Sequence, residues 1–199
     1  MPGHRATWLV LTVLVALLPG AAPASAAFSA PETISAPNLQ TWTADIAVDT
    51  RGNALAVWDT QFSTSSVVQA RFRSRGGVWG PVLTLSEAGE SSWRPQVAFD
   101  AHDNAIVAWS SFELSRGDPY IGTARVRTAF RPAGGSFAEA QVVQEGVGEL
   151  YFTVHSLAAN DDAVLAWTRF EAGDQIPTVE VAARPPGGVF AAPVSMGAV

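Results

Sequence analysis

Three stretches of this chain align without gaps and end on tryptophan: IAVDTRGNALAVW (Ile46–Trp58), VAFDAHDNAIVAW (Val97–Trp109) and HSLAANDDAVLAW (His155–Trp167), spaced 51 and 58 residues apart. A second ungapped trio follows them: VQARFRSRGGVW (Val68–Trp79), VRTAFRPAGGSF (Val126–Phe137) and VEVAARPPGGVF (Val179–Phe190). A third element, FSAPETIS from Phe28, recurs as WGPVLTLS from Trp79 and FAAPVSMG from Phe190, and an aromatic opens each unit at Trp42, Trp93 and Tyr151. Self-similarity at a fixed period marks a stack of like units, none of which can bury its apolar face alone.

Each unit reads as four strands. The first, such as Asp45–Asp49, runs into a polar hairpin turn, Thr50-Arg51-Gly52-Asn53. The second, Ala54–Trp58, is apolar at every position and therefore needs cover on both faces. The third alternates: Val68, Ala70 and Phe72 face one way, Gln69, Arg71 and Arg73 the other. A Gly-Gly turn leads to the fourth, near Pro81–Ser86. No stretch after residue 27 carries a helical period, so the expected class is all-β. Four-stranded units of about 50 residues with a doubly buried strand suit the blades of a β-propeller. Alanines 54, 56, 105, 108, 163 and 166 would let blades approach closely. A β-sandwich predicts alternation in most strands instead. The expectation is a partial β-propeller of about three four-stranded blades plus one extra N-terminal strand: residues 27–42 for that strand and its connector, then blades at 43–92, 93–150 and 151–199.

Residues 1–26 read as a secretory signal: His4 and Arg5, an apolar run from Ala6 to Leu18, and the small residues Ala24-Ser25-Ala26. The run is too short to span a bilayer, which takes about 20 apolar residues. The expected location is secreted, with no membrane anchor. All 12 cations are arginine against 18 acids, a net charge of −6, so no basic footprint for nucleic acid exists. With no cysteine, disulfides and thiol or Cys-ligated metal chemistry are excluded. His102 and His155 occupy different repeat positions and suggest neither zinc nor a Ser-His-Asp triad. The Asp/Asn-rich turns at Asp49–Asn53, Asp100–Asn104 and Asn160–Asp162 read as turn chemistry rather than calcium loops. No metal, cofactor or catalytic set is expected.

The pattern D-x-x-G-N-A-x-A-V-W followed by A-x-F-R-x-x-G-G-x-[WF] resembles the repeats of secreted bacterial β-propeller proteins of the sialidase-like type, over Phe28 to Val199. That family's Asp box, S-x-D-x-G-x-T-W, has a degenerate counterpart in Ser74–Trp79, which keeps the Ser, a Gly and the Trp without the Asp. Ile46–Val57 is also similar to NHL-type propeller repeats. The resemblance implies a propeller. It offers, as the alternative function, a sialidase-like exo-glycosidase with a tyrosine nucleophile, for which the chain supplies only Tyr120 and Tyr151. An arginine triad for a substrate carboxylate would fall on Arg73, Arg131 and Arg184. These lie at the hairpin end of the blades, however, and pairing with Asp49, Asp100 or Asp161 is the expected role.

The opposite end carries loops that vary in length between units, and function tends to lie where repetition fails. Its candidate ligand residues are Phe112, Glu113, Asp118, Phe170, Glu171 and Asp174, aromatics beside acids suited to a glycan or protein surface. Trp42, Trp93 and Tyr151 recur in phase and are expected to fill gaps between blades. The leading functional reading is a non-enzymatic glycan- or protein-binding, or structural, module. Since closed propellers have about four to eight blades, the missing blades are expected in cis beyond Val199 or on another chain.

Overall fold

The computed structural model describes residues 30–62, 65–114, 122–148, 150–171 and 176–198. The signal reading and Phe28 lie outside them. Among the described residues, twelve strands form three antiparallel meanders of four. The first sheet holds β1 (Gln40–Val48), β2 (Ala54–Gln61), β3 (Ser66–Arg73) and β4 (Trp79–Thr84). The second holds β5 (Ser91–Phe99), β6 (Ala105–Leu114), β7 (Gly122–Arg131) and β8 (Gln141–Gly148). The third holds β9 (Leu150–Ala159), β10 (Ala163–Glu171), β11 (Thr178–Arg184) and β12 (Val194–Ala198). In each, strands pair in chain order, as in propeller blades. The chain is an all-β partial propeller.

Two apolar layers join the sheets. Leu55, Val57, Val68 and Ala70 of the first pack on Val97, Ala105, Val107, Trp109 and Ala129 of the second. Ala108, Ala124, Val126 and Phe112 on the other side of the second sheet meet Phe152, Val154, Leu165, Trp167 and Ala182 of the third. Alternate residues of β6 thus serve opposite neighbours, which is why its Ala105–Trp109 stretch is apolar throughout. β2 is likewise buried from Ala54 to Thr60. β10 differs. Ala163, Leu165 and Trp167 are buried, but Val164 is 47% exposed, because no sheet of the described chain covers its side of the third unit.

The first hairpins of the first two sheets follow one plan. Asp49 Oδ1 accepts the backbone N–H groups of Arg51 and Asn53, and Asp49 Oδ2 accepts Asn53 Nδ2. Asp100 does the same for His102 and Asn104. Asn53 Oδ1 then accepts Arg75 N–H and Asn104 Oδ1 accepts Ala133 N–H, tying each first hairpin to the second of its own sheet. The turn carboxylates are therefore engaged by their own backbone, and no metal-holding cluster exists among the described residues.

Two expectations change here. Residues 30–35, the described part of the supposed extra N-terminal strand, carry no strand pairing. The segment holds Pro31, which cannot donate to a ladder, and Ile34 O accepts Arg71 Nη1–H at 3.1 Å. Nor do Arg131 and Arg184 rest mainly on aspartates. The Arg131 guanidinium stacks over Phe72 at 4.4 Å, and Arg184 stacks over Phe130 at 4.5 Å, each reaching the sheet before its own. Burial holds Arg131 below its ordinary value, and the charge of Asp49 offsets part of this. Among the described residues, the ion pair joining the first hairpins of neighbouring sheets is Arg51 Nε to Asp103 Oδ2, 3.0 Å. Thr50 N–H and Oγ1–H also donate to Asp103 Oδ1, both at 2.8 Å.

Those two Thr50 hydrogen bonds hold the Asp103 carboxyl below the usual carboxylate range, with Arg51 helping. A lowered folded-state pKa stabilises fully above the unfolded value and ceases to do so as pH falls through the folded one. The unfolding midpoint of an Asp103→Asn variant should therefore lie below wild type at neutral pH, and the gap should close in acid. Urea titrations across that range measure it.

Candidate functional site

At the loop end, opposite these hairpins, β1 and β5 are irregular at equivalent positions. The β1–β2 register shifts between Thr41 and Ala44, and the β5–β6 register between Trp93 and Gln96. Arg94 is held at φ 54, a left-handed conformation unusual for a side chain of its size. Bulges re-aim side chains next to binding sites. These two turn Trp42 and Thr43, and Trp93 and Arg94, onto one cleft of about 490 Å³, also lined by Asp59, Gln61, Ser66 and Ser91. The volume suits a small ligand.

The cleft combines two indoles with a carboxylate, an amide, a guanidinium and three hydroxyls. Trp42 is 65% exposed and free to stack, whereas Trp93 is half-buried against the layer between the second and third sheets. Trp42 thus does not fill a gap between described sheets. Asp59 is buried, and its Oδ1 accepts Thr43 N–H at 3.0 Å and the Thr43 hydroxyl. Ser66 N–H donates to Ser91 Oγ at 3.2 Å, joining the first two sheets at the cleft wall. Asp59 follows Trp58 where the other units have Ser110 and Thr168, so the acid is particular to this unit.

Beside Ser91 begins a second polar cluster that the sequence reading missed. Arg125 places Nη1 at 2.6 Å from Glu90 and 3.1 Å from Glu113, and Nε at 2.7 Å from Glu145. Arg127 meets Glu87 at 2.9 Å and Glu90 at 2.5 Å. Burial disfavours the charge on Arg125, but its hydrogen bonds to Glu145 and Glu113 outweigh that and raise its pKa. A signal for the cluster was present. The residue after the valine that opens the second repeated motif (Val68, Val126, Val179) is Gln69, Arg127 or Glu180. Gln69 Oε1 accepts Trp58 Nε1–H at 3.1 Å, and Glu180 Oε2 accepts Trp167 Nε1–H at 2.8 Å. Arg127 has no acceptor to offer, and the buried Trp109 Nε1–H has no partner among the described residues. The second unit gives up the conserved-in-phase indole bond for a buried ion-pair network.

The expected ligand residues are not gathered into the cleft. Phe112 is buried between the second and third sheets, and Glu113 pairs with Arg125. Phe170 is exposed, and Glu171 pairs with Arg169. Asp118, Asp174 and Tyr120 lie outside the described residues, and Tyr151 is in β9. Two further cavities, of about 370 and 300 Å³, sit below the Arg131–Phe72 and Arg184–Phe130 stacks respectively. Because they recur in phase between successive sheets, they belong to the packing of the repeat.

No family model matches the chain, and no curated protein matches it. Among solved structures it is similar to a Penicillium chrysogenum alpha-L-arabinanase complexed with arabinobiose, with a TM-score of 0.56 and 11% identity, over 78% of this chain and 49% of that one. It is also similar to a mutant alpha-L-arabinofuranosidase from Fusarium graminearum in complex with an iminosugar inhibitor, with a TM-score of 0.55 and 13% identity, over 78% of this chain and 48% of that one. The chain therefore spans about half the length of either. At such identity the likeness is one of fold, and the fold is that of a β-propeller.

Proposed function

We propose that this chain is an exported propeller module that binds a carbohydrate, without hydrolysing it, in the cleft between its first two sheets. The observation that carries the reading is the pair of bulged strands bringing an exposed Trp42 and the half-buried Trp93 together with Asp59, Gln61 and Arg94. A sugar ring presents an apolar face for stacking and hydroxyls for planar polar groups, and this cleft supplies both. Glycoside hydrolysis ordinarily takes a pair of carboxyl groups. Among the described residues Asp59 is the one carboxylate lining the cleft. The first 26 residues support export.

Because the two similar structures are of an arabinanase and an arabinofuranosidase, arabino-oligosaccharides are the first probe, followed by sialosides. Calorimetric titration should detect binding, and Trp42→Ala should weaken it about tenfold, roughly 1.4 kcal/mol. Trp42 is exposed, so the variant should fold as wild type does. Equal affinity in Trp42→Ala would remove the cleft from consideration. Release of reducing sugar by the wild-type chain would replace binding with the glycosidase alternative.

A further inference from the structure

Two charged residues of the cleft break the repeat. Asp59 stands where the other units have Ser110 and Thr168, and Arg94 stands where they have Thr43 and Phe152. They line one cleft without forming an ion pair. Asp59 is buried and its Oδ1 is taken by Thr43, while Arg94 is exposed. Elsewhere among the described residues Arg51, Arg125, Arg127 and Arg169 meet acids, and Arg131 and Arg184 lie over rings. Of the arginines with neither arrangement, Arg94 is the one that lines the cleft. Neighbouring residues of an unbroken strand point to opposite faces, yet Trp93 and Arg94 line the same cleft. The register shift between Trp93 and Gln96 and the left-handed φ of 54 at Arg94 account for this. Such a backbone suits glycine or asparagine, and Pro95 beside it narrows the choice further. A bulky, unpaired cation kept in a strained conformation beside two indoles is placed to meet a ligand rather than to hold the fold.

We propose that the ligand of this cleft is an acidic sugar, an oligosaccharide containing hexuronate, whose carboxylate is held by Arg94. The inference rests on the carbohydrate reading of the cleft and names its substrate class. A guanidinium matches a carboxylate through paired, charge-assisted N–H···O bonds, stronger than those it makes to a neutral hydroxyl. A hexuronate ring carries its carboxylate on one edge and hydroxyls on the others, and keeps an apolar face for Trp42 to stack on. The cleft has a matching polarity, with the cation on its exposed side and the Asp59 carboxylate and Gln61 amide to accept hydroxyl protons. Asp59 does not oppose the ligand's charge directly, because it is only 2% exposed whereas Arg94 stands in solvent. Arg94 is therefore a specificity determinant, and Trp42 supplies affinity common to acidic and neutral sugars.

The test is calorimetric titration near neutral pH with trigalacturonate, with its methyl ester, which keeps the rings without the charge, and with arabinotriose. The wild-type chain should bind the acid about tenfold more tightly than the ester. Arg94→Gln should erase that preference, acting on the acid far more than on the ester, while Trp42→Ala should weaken both alike. Arg94→Gly should also erase it and yet unfold at no lower urea concentration than wild type, because glycine accepts φ 54 without strain. A marked loss of stability in Arg94→Gly would overturn the inference by giving Arg94 a structural role. Equal affinity of acid and ester in the wild type, or a preference that survives Arg94→Gln, would overturn it and leave the carbohydrate reading standing. Binding of arabinotriose alone would do the same. Binding of none of the three sugars would overturn both.

Discussion

Replacing Arg127 with alanine is expected to destabilise the chain by about 3–5 kcal/mol, the cost of leaving a buried carboxylate without its counter-charge. Glu90 and Arg127 are both buried and lie 2.5 Å apart, and Glu87 supplies a second, more exposed partner to the same guanidinium. Deleting the cation strands Glu90 with only Arg125 to compensate. The repeat itself suggests the rescue. Arg127→Gln installs the residue that the first unit uses at this position and gives Trp109 Nε1–H the acceptor that Trp58 finds in Gln69. Combined with Glu90→Gln, which removes the stranded charge, it should recover most of the loss, since replacing both members of a buried pair is often close to neutral. Urea unfolding of the two single variants and the double variant forms a double-mutant cycle, and a coupling near zero would mean that the pair is not the source of the effect. Retained stability with altered sugar affinity would instead tie the cluster to the neighbouring cleft.

The architecture was legible because its signal is redundant. Alternation in β3 and the uniformly apolar stretches Ala54–Trp58 and Ala105–Trp109 report one and two buried faces respectively, and recurrence in phase repeats the message. Stacking of Arg131 and Arg184 on Phe72 and Phe130 was not legible, because it joins residues of different units that no local pattern relates. An aspartate four residues from an asparagine is also read more easily as a turn than as a tie between two hairpins. The cleft was harder still. Trp42 and Trp93 recur, and recurrence points to packing; what makes them accessible is the bulge in each first strand, a backbone event that follows from register rather than composition. Sequence placed its candidates at the loop end. It chose residues there by chemical type, whereas the fold assigns them by strand phase: Phe112 belongs to the side of β6 that faces the third sheet.

That assignment can be tested at Phe112 itself. Its side chain is 8% exposed in the layer between the second and third sheets, alongside Ala108, Ala124, Val126 and Phe152. Its ring also sits so close to Gly122 that a Cβ there would stand 2.4 Å from Cζ and 2.4 Å from the Glu113 carbonyl oxygen. A residue with this setting contributes by filling space. Phe112→Ala removes a large buried ring and opens a cavity, for which about 3–5 kcal/mol is the expected cost. Gly122→Ala tests the same contact from the other side, since the added methyl meets backbone as well as ring, and overpacking typically costs about 1–3 kcal/mol. Both losses should appear in the urea midpoint. At temperatures where the variants remain folded, carbohydrate affinity should match wild type, since Phe112 does not line the cleft of Trp42 and Asp59. If Phe112→Ala instead kept its stability and lost affinity, the ligand surface would lie along the loop rim with Phe170 and Glu171. The bulged first strands would then be part of the scaffold.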